Sequence, residues 1–494
     1  MPFHDLRSFL RALEGRGSLV RVADPVDPVL EATALAQKVQ AADGPALLLE
    51  NAIGSAHPLL LNLFGHRSRI EAVLGDRPVR GFAELGELLA RLQQPRLPRS
   101  IRSALSDWPE LGQLALVSPR RVEQAAFNEH VLAGPDVDLE SLPIQHCWPG
   151  DAGRLITLGL VVTHNARLER SNIGIYRQQL IGRHRVIMRW LAHRGGAQDF
   201  AQWRQDRPGE PFPVAVVIGA DPATTLAAVA PVPDTLSEFQ FAGLLRGART
   251  ETVAAPLTGL EVPAGAEIVL EGHIHPDNTA EEGPFGDHTG HYNARGVYPV
   301  LTVERMSMRS DAIYQGSFMG KSPHDEPSVL ASALNDLFVP ILRGIFPEIR
   351  DFYLPPAACS YRIALVSIDK RYPGHARRVM MGVWSYLRQF TYTKFVVVVD
   401  ADIDVRDCNE VLWALANHVD PARDSLLVER TPVDVLDFAT AEAGLGSKLG
   451  LDATRKLPGE SDREWPAPII VDPDIDRRVE DLCRRICAAG RAVE

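Results

Sequence analysis

Residues 171–196, SNIGIYRQQLIGRHRVIMRWLAHRGG, set five arginines (Arg177, Arg183, Arg185, Arg189 and Arg194) among apolar and aromatic residues, with no acidic residue in the stretch. The run HRVIMRW within it has the apolar, β-branched character of a strand. A guanidinium withdrawn from water needs an anion beside it. The segment therefore either lays its arginines along solvated strand faces, paired with distant acids, or builds a pocket for a phosphate or a carboxylate.

Working outward, the flanking sequence from about residue 117 to 309 repeats the same signal. LITLGLVVT, FPVAVVIG, AEIVLEGHI and YPVLTVERM are apolar or alternating runs between turns, which predicts a β-rich unit with little helix, a barrel or a sandwich. Helix and strand patterns alternate on either side of it. Before it, an amphipathic helix with Leu6, Phe9, Leu10 and Leu13 on one face leads to the strand SLVRV. VLEATALAQKVQ then precedes PALLLEN, and FAELGELLARLQ stops at Pro95 and Pro98. After it come the helix SVLASALNDLFVPIL, the strand SYRIALVSI, the helix HARRVMMGVWSYLRQF and the buried strand KFVVVVDADID. The expected fold is mixed α/β (α+β) in three parts, residues 1–115, 116–310 and 311–494, as befits a chain of 494 residues.

Composition limits the function. With 45% hydrophobic and 23% charged residues the chain reads as an ordinary globular protein, and a net charge of -11 opposes nucleic-acid binding. The five cysteines (Cys147, Cys359, Cys408, Cys483 and Cys487) are scattered, which predicts a reducing, cytoplasmic setting. No run of apolar residues has the length of a membrane span. The C-terminal stretch DRRVEDLCRRICAAGRAVE places Val479, Leu482, Cys483 and Ile486 on one helical face and Arg477, Arg478, Arg484, Arg485 and Arg491 on the rest. That predicts a terminal amphipathic helix that docks on a neighbouring domain or subunit, or makes peripheral contact with an anionic membrane.

Carboxylates suited to proton transfer stand elsewhere. EEGPFGDHTGHYN sets Glu281, Glu282 and Asp287 around Gly283 and Gly286, residues that permit a tight loop, and Glu238 lies in the apolar segment TLSEFQFAGLL. A carboxylate fixed there is tuned upward by burial or downward by an arginine. The same loop offers Asp287, His288 and His291 as a metal-chelating set for a hydrolase, and DADIDVRDCNE is a weak calcium-loop candidate that lacks the glycine and terminal glutamate.

Taken in order, SNIGIYRQQLIG, IMRWLAHRGGA, PVPDTLSEFQFAGLLRG, EIVLEGHI, GPFGDHTGHYN, FPEIRDFYLPPAACSYR, RRVMMGVWSYLRQFTYTKFVVV and GLGSKLGLDAT resemble the UbiD decarboxylase family over nearly the whole chain. The resemblance implies a central split β-barrel between two α/β parts. It also implies prenylated FMN, a divalent Mn²⁺ or Mg²⁺ bridging protein and cofactor phosphate, and possible participation of a monovalent cation such as K⁺. Carried across by motif, Ile175, Tyr176, Arg177, Arg189, Trp190, Leu191, Arg194, Gly195 and Lys448 would contact the cofactor. Asn172, His193 and Glu238 would hold the metal, a hard, mostly oxygen donor set.

The implied reaction is non-oxidative loss of CO2 from an aromatic acid. Asp287 would be the proton donor, and Arg177 and Glu282 would orient the substrate carboxylate. The expected substrate is 4-hydroxy-3-polyprenylbenzoate in ubiquinone biosynthesis, with a smaller aromatic or heteroaromatic acid as the alternative. The segment GSFMGKSPHDEPSVL is a residue longer than its counterpart in polyprenyl-specific members, which bears on that choice. Implied partners are a flavin prenyltransferase that supplies the cofactor and further copies of the chain, as a dimer or hexamer.

Overall fold

The computed structural model describes residues 3–75, 81–93, 118–167, 169–192, 194–230, 236–359, 361–386 and 388–490. The connection expected around Pro95 and Pro98, the boundary expected near residue 115, His193 and Arg491 lie outside the described residues.

The first unit runs α1 (Leu6–Gly15), β1 (Leu19–Val26), α2 (Glu31–Ala41), β2 (Ala46–Ala52), β3 (Leu59–Leu61), α3 (Arg67–Ala72) and α4 (Phe82–Gln93). Asp5 starts α1 by accepting the Ser8 N–H at 2.8 Å, and the predicted stripe Leu6, Phe9, Leu10 and Leu13 is buried. β1 and β2 pair in parallel, and β3 runs antiparallel to β2.

The second unit contains β4 (Arg120–Arg121), β5 (His130–Ala133), β6 (Leu155–Ile156), β7 (Leu160–Asn165), β8 (Arg170–Ile175), β9 (Gln178–Gly182) and β10 (Arg185–Met188). It continues through α5 (Gly195–Asp206), β11 (Phe212–Ile218), α6 (Pro222–Val229), α7 (Glu238–Arg246), β12 (Glu251–Ala254), β13 (Glu261–Pro263), β14 (Ile268–Glu282) and β15 (Gly296–Met308). Nine of these strands form one sheet in the order β6-β9-β10-β15-β14-β11-β7-β8, with β5 paired to β15. β6 and β8 end the sheet without meeting each other, so among the described residues the sheet stays open, as a split barrel does, and no closed barrel forms. Three helices, α5, α6 and α7, stand where the sequence predicted little helix. α6 and α7 present buried Leu226, Phe241 and Leu245 to the first unit's core, a tertiary role that strand periodicity does not reveal.

After β15 the chain returns to the first unit. β16 (Tyr314–Gln315) pairs in parallel with β3, and α8 (Glu326–Asn335) and α9 (Val339–Ile345) bury Leu330, Leu334, Phe338 and Ile341 against Leu6, Phe9 and Leu85. The single helix expected over SVLASALNDLFVPIL is two, because Pro340 lacks the N–H that a continuous helix requires and fits the first turn of a new one. The last unit holds β17 (Ile349–Tyr353), β18 (Ile363–Ile368), α10 (His375–Tyr386), β19 (Phe395–Asp400), α11 (Cys408–His418), β20 (Ser425–Pro432) and β21 (Leu445–Ala453), with sheet order β17-β18-β19-β21-β20. The valines of β19 alternate between two buried clusters, Val396 and Val398 against α10 and Val397 and Val399 against α11, as a strand covered on both faces requires.

The predicted terminal helix is α12 (Pro473–Gly490). Its described side chains, through residue 486, are all exposed. It is amphipathic but not basic as expected. Asp474, Asp476, Glu480 and Asp481 offset Arg477, Arg478, Arg484 and Arg485, with Arg477 paired to Asp474 and Arg484 to Asp481. Among the described residues no single helix is long and apolar enough to cross a membrane.

A buried ion pair clasps the first two units together. Arg7 of α1 donates from Nε and Nη2 to both oxygens of Glu267, at 2.8 Å each, and the Glu267 side chain is fully buried just before β14. Removing the arginine leaves the buried carboxylate only the Ile313 N–H at 3.0 Å and Arg309 at 3.9 Å, at a cost of up to about 3–5 kcal/mol. Arg7→Ala is expected to lower the melting temperature by several degrees, measured by differential scanning calorimetry. An unchanged melting curve would count against the clasp.

Candidate functional site

The site is built where β8, β9 and β10 meet the far end of β14. Arg177 lies between β8 and β9, and β14, which resumes its pairing with β15 at Thr279 after an irregularity that follows Ile274, ends at Glu282 opposite Gly296. Nε and Nη2 of Arg177 donate to Oε1 and Oε2 of Glu282 at 2.7 and 3.1 Å, a two-pronged pairing, while Nη1 donates to Asp287 Oδ2 at 3.1 Å. All three residues are buried, at 8%, 0% and 5% exposure. A second arginine, Arg189, stands 3.8 Å from Glu282. Burial pushes the Glu282 carboxyl up to about 7, against the lowering effect of Arg189 and with the charge of Asp287 adding to the rise.

The loop that carries Asp287 is tied at several points. Gly283 adopts φ +90, and its N–H donates to Gln179 Oε1 at 2.9 Å. Gly286 faces Trp148 so closely that an added Cβ would lie 2.3 Å from the indole Cδ1, and its N–H donates to Asp151 Oδ1 at 2.8 Å. Asn293 accepts the Phe285 N–H. Gln179, Trp148, Asp151 and Asn293 were not singled out from the sequence. Gln179 stood two places beyond Arg177 in the opening stretch, but Trp148 and Asp151 carried no local signal, because their contacts cross from a distant loop.

The five arginines therefore divide. Arg177 and Arg189 are drawn into the site. Arg183 pairs with Asp138 at the surface, Arg185 is exposed at the start of β10, and Arg194 occupies the N-cap position of α5. Around that helix start, the Tyr176 hydroxyl accepts the Gly196 N–H at 3.1 Å, and the rings of Tyr176 and Trp190 meet edge to face at 6.3 Å. A Cβ on Gly195 would sit 2.3 Å from Asn172 Oδ1, so only glycine lets the helix approach. Arg189 Nη1 and Trp190 Nε1 are buried without a hydrogen-bond partner among the described residues. A helix N-terminus with the unspent, buried Trp190 Nε1 beside Gly196 suits a phosphate-bearing cofactor such as a flavin nucleotide. Ile175 packs at the edge of an apolar cluster, and Leu191 is half-buried beside Trp190.

The expected metal ligands come together in part. Ser237 and Gln240 cap α7 reciprocally, which fixes Glu238 in its first turn. Glu238 Oε2 accepts the Ile173 N–H at 3.3 Å, beside Asn172, whose Nδ2 donates to Thr163 Oγ1. Burial pushes the Glu238 carboxyl up. Lys448 is held elsewhere. Its Nζ donates to the carbonyls of Thr391 and Thr393, burial pushes it down to about 8, and no contact joins it to Arg189, Trp190 or Arg194 among the described residues.

Two other sequence expectations resolve differently. His291 is exposed with its ring against Phe438, so it does not converge with Asp287 and His288, and no cluster of three potential ligands forms among the described residues. The hydrolase arrangement is therefore absent there. In DADIDVRDCNE, Asp400 accepts the Arg455 N–H, Asp402 pairs with Arg455, and Asp407 caps α11, so these acids are engaged in a strand end and a helix start rather than a calcium loop.

Comparison with known proteins agrees with this layout. Family models for the 3-octaprenyl-4-hydroxybenzoate carboxy-lyase match in order: the N-terminal domain at residues 10–89, the Rift-related domain at 120–322 and the C-terminal domain at 328–453. Among solved structures, the UbiD-class enzyme HmfF from Pelotomaculum thermopropionicum, in complex with FMN, is 29% identical with a TM-score of 0.78, over 96% of this chain and 98% of that one. An evolved dimeric form of HmfF in complex with prFMN is 28% identical, with a TM-score of 0.77 over 96% of this chain and 98% of that one. Vanillic acid decarboxylase from Sedimentibacter hydroxybenzoicus, in its closed form, is 27% identical with a TM-score of 0.84, over 99% of both chains. With all three domain models matched in sequence order and a buried Arg–Glu–Asp triad at the heart of the fold, this chain belongs to the UbiD family of carboxy-lyases.

Proposed function

We propose that the protein removes CO2 from an aromatic carboxylic acid with prenylated FMN bound between Tyr176, Arg189, Trp190 and the N-terminus of α5. The observation that carries this reading is the buried triad, in which one guanidinium holds two carboxyl groups. Cleaving the bond to CO2 on an aromatic ring leaves an electron pair that the ring π system cannot accept, and the cofactor supplies the electron sink. The protein supplies the rest. Burial excludes water from the triad, Arg177 and Arg189 draw in the substrate carboxylate, and Asp287 delivers the proton that replaces CO2. Asn172 and Glu238, with His193, would hold a Mn²⁺ or Mg²⁺ against the cofactor phosphate.

The first substrate to test is 4-hydroxy-3-polyprenylbenzoate, which would place the reaction in ubiquinone biosynthesis and is supported by the family's description. A second reading, a smaller hydroxylated aromatic acid, is favoured by the polar side chains near the acid loop, where Asp325 and Asp434 lie close to His288, and by the likeness to vanillic acid decarboxylase. The proposed assembly is a homo-oligomer in which α12 covers its apolar face, Ile475, Val479, Leu482 and Ile486, against another copy. Its balanced charge gives no electrostatic reason to prefer an anionic membrane.

Three outcomes follow. Protein co-produced with a flavin prenyltransferase releases CO2 from one of these acids, and Asp287→Asn keeps its flavin absorbance while losing about 10²–10⁴-fold in rate. Wild-type turnover by that variant excludes Asp287 as the donor. Glu238→Ala loses flavin and metal together, read by absorbance and elemental analysis, and a variant that retains full flavin without metal contradicts the bridge. Because the triad accepts an anionic substrate best while one carboxyl is neutral, kcat/KM falls as pH rises through about 7, the region where Glu282 titrates. Glu282→Gln, uncharged throughout, flattens that limb, and persistence of the same limb would assign it to another group.

A further inference from the structure

Each turnover of the proposed decarboxylation consumes a proton: a carboxylate and H⁺ become an aryl C–H and CO2. Whatever donates at the ring must be recharged before the next cycle. The two oxygens of Asp287 are divided between two partners. Oδ2 faces Arg177, and Oδ1 accepts the backbone N–H of His288 at 2.9 Å and lies 2.8 Å from His288 Nδ1. The arginine is always charged and has no proton to give, so the imidazole is the side chain in contact with Asp287 that exchanges protons near neutral pH.

The surroundings of His288 suit that task. Its side chain is 14% exposed and its Nε2 has no hydrogen-bond partner among the described residues. The charged groups facing the ring are Asp287 on its own loop, Asp325 at the start of α8, and Asp434 on the connection from β20 to β21, with Arg177 beyond Asp287. The backbone is pinned too, since Ser322 Oγ donates to the His288 carbonyl at 3.1 Å. Burial alone lowers the imidazole, but the hydrogen bond it donates to Asp287 and the charges of Asp287, Asp434 and Asp325 outweigh it, and the balance is upward.

We propose that His288 is a positioning residue that recharges Asp287, passing the Nδ1 proton of its imidazolium to Asp287 Oδ1 after each protonation of the ring carbon. The Nδ1–H bond breaks and the Oδ1–H bond forms, leaving the Nε2–H imidazole; once Asp287 has spent that proton on the ring carbon, a turn of the imidazole about Cβ–Cγ carries the vacant Nδ1 away from Asp287 to take a proton from water, and the ring turns back as imidazolium. No electrons change hands. The inference rests on the decarboxylase reading, and a structural role alone makes a different prediction. Asparagine places an amide N–H close to where Nδ1 stands but does not titrate, so it serves as a prop and not as a carrier.

The test uses the holoenzyme with 4-hydroxybenzoate, its 3-prenyl derivative and vanillate as probes. His288→Asn is expected to keep flavin absorbance and KM while kcat falls by about 10²-fold, within the range for loss of an acid–base group. Imidazole in the buffer is expected to restore part of the rate of His288→Ala. Wild-type kcat in His288→Asn across the pH range overturns the relay and leaves the decarboxylase reading intact. A wild-type holoenzyme that releases no CO2 from any probe overturns both. A second arm needs no turnover. In protein labelled with [13C]histidine, the His288 resonance, identified by its loss in His288→Asn, is expected to titrate above the ordinary histidine value and to move down in Asp287→Asn. An identical titration in both proteins overturns the coupling on which the relay depends.

Discussion

The rest of the site depends on one guanidinium placed out of water. Arg177 is buried with a net cost that only acceptors on both of its edges offset, and Glu282 and Asp287 provide them. That requirement fixes where β14 must end and how the loop after it must turn. It explains why Gly283 takes a left-handed conformation and why Gly286 carries no side chain against Trp148. It also makes the two carboxyls answer to each other, because a second negative charge beside a buried one raises the cost of ionising both.

The architecture delivers this geometry through unequal contributions from its units. The nine-stranded sheet supplies the rigid frame, and its longest pair, β14 and β15, extends beyond the shared core to hold Glu282 at the tip. The first unit stiffens that frame from below through Arg7 and Glu267, and the return of the chain through β16, α8 and α9 stitches it in place. The last unit reaches the acid loop from the other side, with Phe438 against His291 and Asp434 near His288. Polar residues from distant parts of the chain thus converge on the acid loop, an arrangement that sequence neighbours could not have built alone.

Charge is distributed to match. Trp190 keeps a buried donor unspent near the start of α5 and Arg189 one beside Glu282, whereas Arg183 and Arg185, a few residues away in the same stretch, remain at the surface. Lys448 shows the opposite economy. Backbone carbonyls of its own unit absorb its Nζ, and its lowered proton affinity follows from burial rather than from a neighbouring charge. The uniform row of arginines in the sequence is therefore three different environments in the fold.

Much of this was legible in the sequence because period and composition act locally. Apolar alternation marked HRVIMRW, FPVAVVIG and KFVVVVD as strands, the spacing of Leu6, Phe9, Leu10 and Leu13 marked a helix, and the long ordered motifs pointed to the family. The triad could be named from motifs, but its hydrogen bonds could not, since Arg177 and Asp287 are brought together by strand register across 110 positions. What only the tertiary structure decided has the same cause. Whether the sheet closes, which arginines are buried, that Pro340 opens a new helix packed on the first unit, and that the ring of His288 rather than that of His291 meets Asp287 all depend on contacts between distant segments. Such contacts are set by which faces must be buried together, and a one-dimensional pattern records only that a face exists, not what will cover it.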